Sequence, residues 1–375
     1  MTALEYYHDL ILKSDLGPRQ PITDGQRAAW LQRMKQRWPQ LAVEEISRLI
    51  NECTEIIDSG KQFDPLIEDI VNHIPGDLQK RLPQGFVGEF PVNDLNGLSM
   101  ITPSNEYLIL INRGLTVALQ QWAKLVINIF VNWMEFQHSK NPGEHFEQIM
   151  TIMRYSLTGY IQRKEIPSFP VYLEEPNATL STVLGMSASR FVLAHEYAHI
   201  LLGHLDQKNA FTDSQNRSRS EKGWLKSIWK RITKQEDFDF VPEPAGYLKH
   251  IDIYYARRSW RQELNADSLA LELLFTNIDE RPLTFSTSMT SVRNPQTGPR
   301  LFDIEMTLAG IGFLFGLHNL LDRLQVSQIM QTHPPMHVRW DGIRSFLDKR
   351  LNMNQYVFAN TIGGIMTEMA SHLSH

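Results

Sequence analysis

Between Ser187 and Leu205 the chain reads SASRFVLAHEYAHILLGHL, and no other stretch restricts its fold so sharply. Its run of aliphatics reads as one helical segment. Yet it carries two histidines and a glutamate, and buried imidazole or carboxylate groups are costly unless they are satisfied. Residues four apart share a helix face, so His195 and His199 can aim ring nitrogens at one point while Glu196 projects beside it. The rest of the chain has to supply what meets them there.

This is the HExxH arrangement, in which two imidazoles hold an ion that acidifies a water and the glutamate takes the water's proton. Cys53 is the only cysteine, so no intrachain disulfide can form and any ligand set must be built from imidazole and carboxylate. A catalytic zinc needs a third protein ligand and an open fourth position. The segment RQELNADSLALELL, residues 261–274, places Glu263 and Asp267 four apart on a second amphipathic helix, with small Ala266 allowing close approach. Glu263 is the candidate third ligand. Asp267, one turn on, can accept the second N–H of a ligating imidazole and fix its tautomer. His204 follows His199 by five positions and lies past Gly203, which rotates it off the metal-facing side and makes it an exposed helix-end histidine. The alternative for the trio is a metal-free polar cluster between buried helices.

HEYAH followed by ELNAD resembles the gluzincin pattern, HExxH with a downstream ExxAD, of HtpX-like and CAAX-prenyl-protease-like zinc endopeptidases. RFVLAHEYAHILLGHL is also similar to a stretch of ImmA/IrrE-type regulatory peptidases, in which a short strand ending in Ile-Asn precedes the motif as EYLILIN does here. THPPMHVR, residues 332–339, is similar to the His-Pro-Pro segment of HtpX-like enzymes, and the phage-exclusion peptidase Lit is a further HExxH relative in kind. Departures are Ala198 in place of glycine before the second histidine, and Met336 and His337 after the proline pair. The resemblance implies a zinc endopeptidase with His195, His199 and Glu263 as ligands and Glu196 as general base and later proton donor. Peptide hydrolysis also needs a donor for the developing oxyanion. The resemblance makes His333 the first candidate, either in that role or occupying the open zinc position in a resting form; Arg339, Tyr254 and Tyr255 are weaker ones.

A net charge of -5 with 21% charged residues gives no basis for nucleic-acid binding. The first residues, MTALEYYHDLILKSDLG, carry acids where a secretory signal needs a basic start and an unbroken apolar core. Two apolar runs, from Leu115 and from Met306, read as core helices: the first is interrupted by glutamines and a lysine, and the second falls short of bilayer length. A cytoplasmic protein without a transmembrane segment is the expectation.

The resulting fold class is α+β, a mostly helical zincin-like metallopeptidase fold with a small mixed β-sheet and an N-terminal helical extension. Residues 1–82 form the helical region and residues 83–375 the metallopeptidase domain. Past Pro83, short β-branched and aromatic runs broken by Asn-Gly read as a small antiparallel meander, with residues 106–112 the clearest strand. Helices are expected at 115–136, 143–162, 187–203, 256–275, 303–322 and 338–350. A polar insertion spans 206–253, and its centre, residues 217–234, holds seven basic residues with Trp224, Leu225, Ile228, Trp229 and Ile232 at helical spacing. That basic amphipathic helix is a candidate lid, regulatory-partner site or peripheral membrane contact, or a solvated surface helix. The expected partner is a protein or peptide substrate, held extended against an exposed strand edge. The competing function is a catalytically silent interaction protein on the same scaffold.

Overall fold

The computed structural model describes residues 1–13, 23–37, 39–58, 61–80, 82–138, 143–166, 171, 173–205, 253–275, 299–323 and 334–373. The basic stretch 217–234, with the insertion around it, and His333 lie outside them.

Among the described residues the chain opens with α-helices α1 (Ala3–Lys13), α2 (Asp24–Arg37), α3 (Val43–Asp58), α4 (Asp64–Asn72) and the single turn α5 (Gly76–Gln79). Strands β1 (Gly85–Phe90), β2 (Gly97–Ile101) and β3 (Tyr107–Asn112) follow, and then helices α6 (Arg113–His138), α7 (Gly143–Arg163) and α8 (Asn177–Leu201). Among the described residues α9 (Ile253–Phe275), α10 (Pro299–Arg323), α11 (Met336–Arg350) and α12 (Val357–Leu373) come after these.

The three strands are not a meander. Their order is β1-β3-β2, with β2 antiparallel to β3 but β1 parallel to it, Gly85 opposite Tyr107 and Phe90 opposite Asn112. The cause is the path between β1 and β2, which crosses the start of α6 before returning on the far side of β3. The Gly114 N–H donates to Val92 O at 2.9 Å, and a Cβ on Gly114 would lie 2.3 Å from the Asn93 backbone. Only glycine admits that crossing. Every residue of β3, YLILIN, is buried, as its unbroken apolar run requires.

Helix α8 is the centre of the molecule. It packs against α4, α6, α9, α10, β2 and β3, and 18 of its 25 residues are buried. It begins directly after Pro176, ten residues before the sequence expectation, because in NATLSTVLGMSAS the buried stripe of Leu180, Val183, Leu184 and Ala188 is short and diluted by Asn, Thr, Ser and Gly. Phe63, Leu66, Ile70, Ile74 and Leu78 lie in the same buried cluster as the apolar residues of α8. Between α4 and α8, Arg190 donates from Nε to Asp69 Oδ2 at 2.7 Å, with Nη2 at 2.5 Å from the same oxygen and Nη1 donating to Thr307 Oγ1 of α10 at 3.2 Å. Helix α12, which the sequence expectation lacks, packs along α10.

Among the described residues two stretches, Arg113–Asn132 of α6 and Leu301–Asp322 of α10, are long and apolar enough to cross a membrane, the second being 22 residues rather than the shorter run counted from Met306. Of those windows, 56% and 72% respectively is buried inside the fold.

Candidate metal centre

The deeper half of α8 carries His195, Glu196 and His199 past the open side of the sheet, and α9 runs against it. This crossing brings Glu263 onto the two histidines. His195 Nε2 lies 3.1 Å from His199 Nε2. The Glu263 carboxylate spans the pair, with Oε2 3.3 Å from His195 Nε2 and Oε1 3.4 Å from His199 Nε2. One ligand atom from each of the three lies within 4.8 Å of the others, the arrangement of a group that could hold a metal ion. Tetrahedral zinc with bonds of about 2.0–2.1 Å sets its ligand atoms about 3.3 Å apart, so the spacing fits the ion. Charge fits as well. Glu196, Glu263 and Asp267 share this buried site with Arg339 and the His195 imidazolium, and a divalent cation in place of the imidazolium proton would neutralise the excess of carboxylates.

Asp267 lies one helical turn beyond Glu263, with Oδ1 2.9 Å from His195 Nδ1, the nitrogen turned away from the trio. Arg339, on α11, forks onto the same carboxylate, Nε donating to Oδ2 at 2.8 Å and Nη2 to Oδ1 at 2.6 Å. Its Nη1 stands 3.7 Å from Glu263 Oε2, and its guanidinium covers the Phe315 ring at 5.3 Å. The sequence offered Arg339 as an oxyanion donor; in the structure its fork is engaged by Asp267. Tyr254 and Tyr255 fall in the first turn of α9.

Without an ion the site sorts its protons by neighbour. Burial works to lower His195, but Asp267 and Glu263 outweigh it and push the imidazole up to about 9. Burial and the adjacent His195 charge hold His199 down to about 2, which leaves its ring neutral. Burial alone would raise Glu263, yet the His195 hydrogen bond and the neighbouring cations hold it below the usual carboxylate range. Asp267 is likewise depressed, burial being overcome by Arg339. Glu196 goes the other way, raised chiefly by burial against the opposing His195 charge and a hydrogen bond with Ser99.

Ser99 and Gly97 belong to β2, and neither was singled out by the sequence, which marks this stretch only as a strand after Asn-Gly. A Cβ on Gly97 would sit 3.1 Å from Glu196 Oε1 and 3.2 Å from Val192 Cγ1, so the strand lies directly against the glutamate. Among the described residues no strand pairs with the other edge of β2. On the sheet side, Tyr197 of the motif meets Tyr107 of β3, hydroxyl to hydroxyl at 3.2 Å. His204 is not an exposed end residue: it is half-buried, with Nδ1 3.0 Å from His199 Nδ1.

Residues 177–346, from the first residue of α8 into α11, match the family model of peptidase family M48. The matched stretch is less than half of the chain and contains His195, Glu196, His199, Glu263, Asp267 and Arg339. It supports a metallopeptidase whose family is metal-dependent, typically on zinc. Neither a curated protein nor a solved structure matches the chain.

Proposed function

We propose that this M48-type region makes the protein a zinc endopeptidase, with His195, His199 and Glu263 holding the ion and Glu196 handling the proton. The observation that carries the reading is the spacing of 3.1–3.4 Å among the ligand atoms of three side chains from two helices. Bound there, zinc would supply a Lewis acid that lowers the pKa of water and polarises a carbonyl. Glu196 is suited to accept a proton from water and return it to the leaving amine, because burial raises its basicity above that of a surface carboxylate. Ser99 holds that carboxylate from the strand side. Asp267, clamped by Arg339, keeps the His195 ring turned with Nε2 toward Glu263.

The open edge of β2 supports a polypeptide substrate. A chain laid extended on that edge makes main-chain hydrogen bonds that require no particular sequence, and Gly97 lets the edge strand itself lie close to Glu196.

The test is the full-length, zinc-loaded chain incubated with a proteome-derived peptide library, beside Glu196→Gln. The reading expects new amine termini with the wild type and a loss of about 10²–10⁴-fold with the variant, zinc being retained in both. Equal cleavage by both proteins would remove Glu196 from the chemistry, and no cleavage by either would remove the peptidase assignment.

A further inference from the structure

Helix α8 ends in a turn that reaches back to the site. Gly203 is left-handed, with φ 67. Its N–H donates to Ile200 O at 3.0 Å, and the N–H of His204 donates to His199 O at 3.0 Å. These are the two bonds of a Schellman turn, which folds the residue after the glycine back onto the helix three residues before its cap. That contact is ordinarily between two apolar side chains. Here it is between two imidazoles, with Nδ1 of His204 3.0 Å from Nδ1 of His199 and the rings crossed at 66°.

The other nitrogen of His199, Nε2, is the one that faces His195 and Glu263. An imidazole that offers the Nε2 lone pair carries its proton on Nδ1. That proton points at His204 Nδ1, which accepts it. We propose that His204 is a positioning residue for His199, fixing its tautomer and ring angle as Asp267 does for His195. The proposal rests on the reading of His195, His199 and Glu263 as a metal site. It makes the two ligand histidines unlike: one is oriented by a carboxylate locked to a buried arginine, the other by an imidazole carried on a turn that only a left-handed glycine permits.

The experiment uses the full chain and zinc alone, titrated against a chromophoric chelator, for wild type, His204→Phe and His204→Asn. Phenylalanine keeps the ring shape and removes the acceptor; asparagine restores an acceptor oxygen. Partners of this kind change metal affinity by about 10–100-fold, so His204→Phe is expected to weaken zinc binding by that factor and His204→Asn to recover most of it. Thermal unfolding of the metal-free proteins should differ little among the three. Affinity unchanged in His204→Phe, or lost equally in both variants, overturns the proposal while leaving a zinc-binding wild type intact. Failure of the wild type itself to bind zinc overturns the metal-site reading and this proposal with it. Long-range 15N–1H spectra of the zinc-loaded wild type give a check that needs no variant: His199 should carry its proton on Nδ1, and zinc on Nδ1 would refute the assignment.

Discussion

Replacing Asp69 by alanine tests how dry the far side of the site helix is. Arg190 is 1% exposed and lies five residues ahead of His195 on α8, so its charge is neutralised by contacts inside the protein rather than by water. Asp69 accepts from Nε at 2.7 Å and stands 2.5 Å from Nη2. The charge-assisted hydrogen bond from Nε is worth about 1.5–3 kcal/mol, and the buried ion-pair contact at Nη2 adds to it. Together they approach the roughly 3–5 kcal/mol seen when one partner of a buried ion pair is removed and the other stays. Asp69→Ala should therefore lose about 3–5 kcal/mol in urea unfolding of the metal-free chain, a large share of the roughly 5–15 kcal/mol that holds a domain folded. A double change, Asp69→Leu with Arg190→Met, should recover most of the loss, since it removes both charges and keeps the volume. A loss below about 1 kcal/mol in the single variant would refute the reasoning, because that is the scale of a solvated surface pair.

Gly97→Ala would place a methyl 3.1 Å from Glu196 Oε1; a carboxylate displaced by a few tenths of an ångström should lower kcat by roughly tenfold with zinc content unchanged, read from turnover beside elemental analysis. Asp267→Asn keeps the shape but removes the charge shared by His195 and Arg339, so zinc affinity should fall about 10–100-fold by chelator competition. Glu305 Oε1 accepts the Phe358 N–H at 2.7 Å, and burial raises its carboxyl above the ordinary 4.5. The folded chain thus binds this proton more tightly than the unfolded one, so stability falls as pH rises from 4.5 through the raised value. Glu305→Gln should flatten that fall in a Tm-against-pH series, and an unchanged slope would count against it.

The pairs at the site were legible because helical period alone sets what residues four apart can share: His195 with His199, and Glu263 with Asp267. Amphipathic helices such as α7 and α9 were legible for the same reason. The first turns of α8 were missed because Asn, Thr, Ser and Gly dilute the short stripe of Leu180, Val183 and Leu184, so α8 starts ten residues before its expected position. Parallel pairing of β1 with β3 turns on one backbone crossing at Gly114, invisible to strand periodicity. His204 was misplaced by extending helical rotation through a left-handed glycine that reverses the chain. Arg190 and Asp69 stand 121 positions apart, and Arg339 and Asp267 stand 72 apart, so no local pattern announces either pair.

The most direct test is the zinc content of the purified full-length chain by elemental analysis, beside Glu263→Ala. Two imidazole nitrogens 3.1 Å apart, with the two Glu263 oxygens 3.3 and 3.4 Å from them, would hold about one zinc per chain, lost on removal of Glu263. A wild type without zinc, or a Glu263→Ala variant that retains it in full, would contradict the account.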